Sequence, residues 1–311
     1  MTSSSVAFIF PGQGSQKVGM NRDLGSDPKQ RWEQAASLLG YSLYHLVHDG
    51  PESELTLTSR AQPAIFVMSA VILDHLHAQG IRPDYVAGHS LGELTAYYAA
   101  GALSFESALS LIQVRGEAMA NASPPHTTGM AAVMGVSEEA LNTLLLPFGE
   151  QVTMANFNTP SQIVISGHKG GLDQVAPLIK EQGGKMIPLP VSGAFHSPYM
   201  RPAQHALSDY LVNHPLGIAN VPIVLNRTAQ PEEDGAKLTA NLPLQVVSSV
   251  RWVETVAWLA KRVDRAIEVG PGAVLTGLCK KCQPTFPVTS IASEQGVLDW
   301  QRLISGGLQH V

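Results

Sequence analysis

Apolar residues in this chain come in short runs separated by longer amphipathic stretches. VAFIF (6–10), DYVAG (84–88) and RAIEVG (265–270) are of strand length, and each opens directly into a turn. Stretches of helical length lie between and after them. QPAIFVMSAVILDHLHAQ (62–79) stops at Gly80, LGELTAYYAA follows the second run, and AVLTGLCKK follows the third. Strands alternating with helices at this rhythm predict an α/β fold, a mainly parallel sheet covered by helices.

The middle third has another rhythm. GMAAVMGV reads as a strand, SEEALNTLLLPF as a helix, QVTMANFN and SQIVISG as two strands, GLDQVAPLIKEQG as a helix and GKMIPLPVS as a strand. In order this is β-α-β-β-α-β, the ferredoxin-like unit. The expected organisation is a discontinuous large domain, residues 1–127 and 193–311, with 128–192 inserted as a small subdomain. A cleft between the two is where a ligand is expected to bind.

Composition narrows the class. The chain has 311 residues, 44% hydrophobic and 14% charged, which suits a compact globule rather than a disordered or fibrous chain. A net charge of −5 gives no general attraction to nucleic acid or to an anionic membrane. No run approaches a membrane span, and MTSSSVAFIFPGQG has neither the cationic region nor the apolar length of a signal peptide. Cytoplasm is expected. Cys279 and Cys282 stand as C-x-x-C in LCKKC, but with no further ligands nearby they read as the tail of a helix rather than a zinc or redox site.

The turn after DYVAG carries the chemistry. Gly88-His89-Ser90-Leu91-Gly92 is G-x-S-x-G between a strand and a helix, the nucleophile-elbow arrangement. Ser90 would stand exposed there, with the Leu91 N–H at the helix N-terminus pointing at a developing oxyanion. The alternative is a serine that only caps the helix. A serine nucleophile needs a base. Of eleven histidines, His196 stands apart in VSGAFHSPYM, a small-residue loop directly after the inserted unit. The residues alone leave it open as base or as structural histidine. FPGQGSQKVGM invites a phosphate-binding reading, but Lys17 occupies the third glycine position of G-x-G-x-x-G and no G-K-[ST] occurs. A loop offering a backbone oxyanion donor fits better.

These segments together resemble a known family. FPGQGSQ (10–16), QPA (62–64), GHSLGE (88–93), VRGEAM (114–119), NFNTPSQIVISG (156–167), GAFHSPYM (193–200) and EVGPGAVLTGL (268–278) are similar to the malonyl-CoA:acyl carrier protein transacylases across nearly the whole chain. The resemblance implies an α/β-hydrolase-like large domain, Ser90 as acylated nucleophile and His196 as its base. It also implies an oxyanion hole from the N–H groups of Gln13 and Leu91, and Arg115 as holder of the malonyl carboxylate. From periodicity alone Arg115 is a snorkelling arginine on a helix with Leu109, Ile112 and Met119 inward. By the same resemblance Gln62, His89, Asn158 and Phe195 line the pocket, with Phe195 crowding the malonyl α-carbon. A main-chain carbonyl orients the histidine; SSVRW puts Ser248 at that place, where the family has asparagine.

The implied reaction carries malonyl from malonyl-CoA to the phosphopantetheine thiol of an acyl carrier protein, with no metal or bound cofactor. The enzyme would act as a monomer, feeding fatty acid synthesis or, in trans, polyketide synthase carrier domains. Arg251, Lys261, Arg262 and Arg265, and the pair Lys280 and Lys281, are candidate docking groups for an acidic carrier, or simply solvated faces. One rival is a serine hydrolase, which would need an acidic partner such as Asp173 or Glu181. Another is a non-catalytic carrier-binding module.

Overall fold

The computed structural model describes residues 4–24, 29–122 and 126–306. Met1–Ser3, the start of the segment read for a leader, lie outside them. The elements run β1 (Val6–Phe10), α1 (Lys29–Leu39), α2 (Leu43–Asp49), α3 (Glu52–Leu55), α4 (Thr58–Ala78), β2 (Tyr85–Gly88), α5 (Leu91–Ala99) and α6 (Phe105–Asn121). Next come β3 (Thr128–Met134), α7 (Glu138–Leu145), β4 (Val152–Thr159), β5 (Gln162–His168), α8 (Lys169–Glu181), β6 (Lys185–Pro188) and α9 (Arg201–Asn213). The last third holds β7 (Ile223–Val224), β8 (Pro231–Glu232), α10 (Gly235–Gln245), α11 (Trp252–Leu259), β9 (Arg265–Val269), α12 (Val274–Cys282), β10 (Val288–Ile291) and α13 (Glu294–Gly306).

The first sheet has six strands in the order β10-β9-β1-β2-β7-β8, parallel except where β8 returns antiparallel to β7. Every residue of β1 is buried, as a central strand with helices on both faces requires. Phe8 and Phe10 face one cluster with Phe66, Leu94 and Ile112; Ile9 faces the other with Trp252, Val256 and Leu275. The second sheet, β4-β5-β3-β6, is antiparallel throughout, the strand order of a ferredoxin-like unit. Its core is its own: Val133, Ile163 and Ile165 pack on Leu141, Val175 and Ile179 from α7 and α8. The α/β class and the antiparallel second sheet are as the sequence predicts.

Two boundaries differ. The helix expected at 62–79 begins at Thr58, which puts Pro63 in its second turn, where its missing N–H removes the bond to the Ser59 carbonyl. The strand expected through Ser192 stops at Pro188, because Pro188 and Pro190 have no N–H to continue a ladder. The segment before α11 is stitched to β4: Val250 N–H donates to Ala155 O at 2.8 Å, Phe157 N–H to Val250 O at 2.9 Å, and Ser249 Oγ–H to Met154 O at 2.7 Å. That stitch fixes Ser248 beside the site.

Candidate active site

Only His89 and Ser90 separate the end of β2 from the start of α5, so the chain must reverse sharply. Ser90 takes φ 54° and ψ −106°, outside the usual regions for an L-residue. The turn closes because a Cβ on Gly92 would collide with the Phe10 carbonyl and one on Gly88 with the Gly92 backbone. Ser90 occupies the N-cap position of α5, yet its side chain caps nothing. Its hydroxyl instead lies 2.7 Å from Nε2 of His196. The capping alternative is therefore wrong.

His196 is 3% exposed and stands in the loop before α9 with φ 56°. Its Nδ1 lies 3.0 Å from the Ser248 carbonyl and 3.1 Å from that of Gln245. Carbonyl oxygens only accept, so Nδ1 carries the proton and Nε2 is left bare to accept from Ser90. Its ring bonds to no carboxylate among the described residues. Asp173 and Glu181 lie on α8, against the second sheet, which removes the acidic partner a hydrolase triad would need.

Burial pushes the His196 pKa down to about 3, with the Arg115 charge and His89 pressing the same way. The ring is thus a neutral acceptor at any ordinary pH. Unfolded, it takes a proton near 6.5; folded, only near 3. Its contribution to stability is whole above about pH 6.5 and drains as pH falls toward 3, at about 1.4 kcal/mol per unit. Thermal midpoints measured from about pH 7 down to 4 should fall less steeply in His196→Ala than in the wild type.

Arg115 is 1% exposed on α6, so it does not snorkel. The glycine after it lets α6 approach the first turn of α4 closely at Ser59, within reach of Gln62. Arg115 donates from Nη1 to Gln62 Oε1 at 2.8 Å, and from Nη2 to Gln245 Oε1 at 3.0 Å and Ser90 Oγ at 3.1 Å. Its Nε has no hydrogen-bond partner among the described residues. Burial lowers its pKa to about 10 against the opposing pull of Glu93, and the guanidinium stays charged. Ser90 Oγ therefore accepts from a cation and donates to a base.

The other predicted residues surround this centre. His89 Nε2 lies 2.9 Å from Asn158 Oδ1, its ring edge-on to Trp252. Phe195, buried beside His196, packs against Gly193. Leu91 opens α5. Gly12 abuts the His89 carbonyl so closely that a Cβ would collide, which brings the Gln13 loop alongside the elbow; the Gln13 side chain donates to Thr58 Oγ1 at 3.2 Å. Cys282 donates from Sγ to the Asn158 carbonyl at 3.3 Å, Cys279 is buried, and both are free thiols. Among the described residues no His, Cys, Asp or Glu group of three or more could hold a metal ion.

Three residues of the site went unread in the sequence. Gln245 bonds Arg115 through Oε1, and its Nε2 donates to Ser90 O at 2.9 Å. Glu93 and Asn226 lie fully buried beneath the elbow. A carboxylate inside the apolar LGELTAYYA was the available signal for Glu93, and an amide closing the apolar NLPLQ for Gln245.

Residues 7–302 match the family described as the acyl transferase domain. The malonyl CoA-acyl carrier protein transacylase of Bacillus subtilis is 40% identical over 302 residues, covering 94% of this chain and 95% of that protein. The chain belongs to the malonyl-CoA:acyl carrier protein transacylase family. The family member of Synechocystis is likewise 40% identical, over 92% of this chain and 96% of its own. Among solved structures, an acyl carrier protein S-malonyltransferase from Vibrio cholerae superposes with a TM-score of 0.92 at 38% identity, over 96% of this chain and 99% of that one. A malonyl-transacylase in complex with a type II PKS acyl-carrier protein gives 0.93 at 34% identity, over 96% of this chain and 100% of that one. The protein is an acyltransferase with the fold of this family.

Proposed function

We propose that the enzyme moves malonyl from malonyl-CoA to the phosphopantetheine thiol of an acyl carrier protein by ping-pong transfer through a malonyl-Ser90 ester. One observation carries the reading: the Ser90 hydroxyl sits between the bare Nε2 of His196 at 2.7 Å and the Arg115 guanidinium at 3.1 Å. His196 takes the hydroxyl proton as Oγ attacks the thioester carbonyl. The N–H groups of Leu91 and Gln13 meet the oxyanion; one such donor is worth about 3 kcal/mol. The C–S bond breaks, and coenzyme A leaves with the proton from His196. In the second half His196 takes the carrier thiol proton, sulfur attacks the ester, and Ser90 recovers its hydroxyl. Arg115 holds the malonyl carboxylate, Phe195 crowds the α-carbon, Gln62, His89 and Asn158 complete the pocket, and the Ser248 carbonyl keeps Nδ1 protonated. The reading takes residues 128–192 as a lobe inserted into the catalytic domain of 1–127 and 193–311. It takes the enzyme as a cytoplasmic monomer without a bound cofactor.

Incubation with malonyl-CoA alone should add one malonyl group to the intact mass, mapping to the peptide of Ser90, and carrier protein should discharge it. Turnover without an adduct would favour a hydrolase; no reaction at all would leave a binding module.

For the carrier, the two basic clusters are unequal. Arg251 is paired with Glu254, Arg262 lies over Trp258, and Arg265 lies over Trp300. Lys280 and Lys281 are exposed at the end of α12, whose Cys282 touches the Asn158 carbonyl at the site. Lys280→Glu with Lys281→Glu should slow transfer to an acidic carrier by about 10-fold at low salt, an effect that fades as salt rises. Malonyl loading of Ser90 should be unchanged; equal loss in both steps would reject this docking face. Fatty acid synthesis is the proposed destination. The structural likeness to a malonyl-transacylase in complex with a type II PKS acyl-carrier protein supports a second destination, polyketide synthase carrier domains, and side-by-side transfer rates to the two kinds of carrier would separate them.

A further inference from the structure

The strained elbow has to be held by something. Asn226, fully buried in the loop after β7, spends all its polar groups there. Its Oδ1 accepts from Ser90 N–H at 2.7 Å, and its Nδ2 donates to Gly88 O at 2.5 Å. One side chain thus spans the turn from the last residue of β2 to the nucleophile. The Asn226 backbone is pinned in turn: its N–H donates to Glu93 Oε2 at 2.6 Å, and its carbonyl accepts from Arg251 N–H at 2.9 Å. The other Glu93 oxygen accepts from Tyr97 Oη at 2.6 Å and from Asn241 Nδ2 at 3.3 Å. Every contact donates to Glu93, an arrangement that suits an ionised carboxylate. Burial pushes its pKa up, while these donors and the Arg115 charge pull it back.

We propose that Asn226 is a positioning residue for acyl transfer, a clamp that holds Ser90 at the backbone angles aiming Oγ at His196, with Glu93 as the anchor that fixes the clamp. Asn226 acts through the backbone of Ser90. A helix-capping hydroxyl in a relaxed turn would point elsewhere; the two clamp bonds offset the strain that keeps it aimed. Because no bond runs from Asn226 to Arg115, losing the clamp should cost rate at saturation and leave the grip on the malonyl carboxylate intact.

The inference rests on the acyl-transfer reading, and the test separates the two. Single-turnover loading of Ser90 by malonyl-CoA is followed by intact mass in the wild type, Asn226→Ala and Asn226→Asp. For Asn226→Ala the saturating rate should fall about 100-fold, the scale of a misplaced nucleophile, with half-saturating malonyl-CoA within about two-fold of wild type. Asn226→Asp carries a chemical signature. Ionised, it still accepts from Ser90 N–H but repels the Gly88 carbonyl; protonated, its hydroxyl donates to that carbonyl and restores the amide's pattern. The titratable groups around it are His89 between Gly88 and Ser90, Glu93 and Tyr97 on α5, Arg115 on α6, His196 across the elbow, and Arg227, bonded to Asn241. Burial and Glu93 favour the neutral Asp, so the variant-to-wild-type rate ratio should rise about 10-fold from about pH 8 to 5.5. A saturating rate within about three-fold of wild type in folded Asn226→Ala, or an Asn226→Asp ratio that stays flat across pH, overturns the clamp. If Asn226→Ala does not fold, the Asp profile decides alone. A wild type that forms no adduct overturns the acyl-transfer reading instead.

Discussion

His196→Ala is expected to slow malonyl loading of Ser90 by about 10⁴-fold, the upper end of what a general base contributes. The size follows from what else touches the hydroxyl. Its other side-chain neighbour is Arg115, a donor only, so no second acceptor stands ready to take the proton. Glu93 is spoken for by Tyr97, Asn241 and the Asn226 backbone. The remaining rate should climb with hydroxide, whereas the wild type at subsaturating malonyl-CoA should stay level down to about pH 4, because the His196 pKa in the free enzyme lies at about 3. Half-saturating malonyl-CoA should move little, since the Arg115 contacts stay. Single-turnover rates between about pH 4 and 9 check all three statements. A loss below about ten-fold would mean that another group takes the proton.

The frame of this molecule was readable because β1, β2 and β9 are buried on both faces and announce themselves as short apolar runs. Ser90 was readable for a related reason. Gly88 and Gly92 are demanded by close backbone approach, and that demand writes a fixed spacing into the chain. His196 and Arg115 lack such a local signature. Its loop directly after the inserted unit set His196 apart without deciding its role, Arg115 sits on an amphipathic helix with a bland pattern, and the joint resemblance of several segments gave both their roles. Gln245 and Asn226 were hidden further. Each meets Ser90 from more than a hundred positions away along the chain, and an isolated amide has no spacing to betray it. Charge was informative only in part. Of Arg251, Lys261, Arg262 and Arg265, clustered in the sequence, the three arginines contact Glu254, Trp258 and Trp300, while Lys261 is exposed.

Arg115→Ala is expected to erase the preference for malonyl over acetyl groups, worth about 10²–10³-fold, through the cost of leaving a buried charge unpaired. In the free enzyme Arg115 rests on two amide oxygens and the Ser90 hydroxyl. A malonyl carboxylate supplies the countercharge these neutral acceptors lack; an acetyl group does not. The same charge also presses on the base, since Arg115 is the second cause, after burial, of the depressed His196 pKa. On the proposed mechanism a malonyl carboxylate at Arg115 would relieve that pressure as it binds and make His196 more basic. Removing Arg115 lifts that pressure from the free enzyme while burial stays, so at subsaturating malonyl-CoA the acid limb of loading should move above that of the wild type. Discrimination against methylmalonyl is expected to come instead from the proposed crowding by Phe195, worth about 1–3 kcal/mol, and should survive the substitution. Competition between malonyl-CoA and acetyl-CoA, read by adduct mass across pH, tests both parts. A variant that still loads malonyl selectively would show that another residue holds the carboxylate.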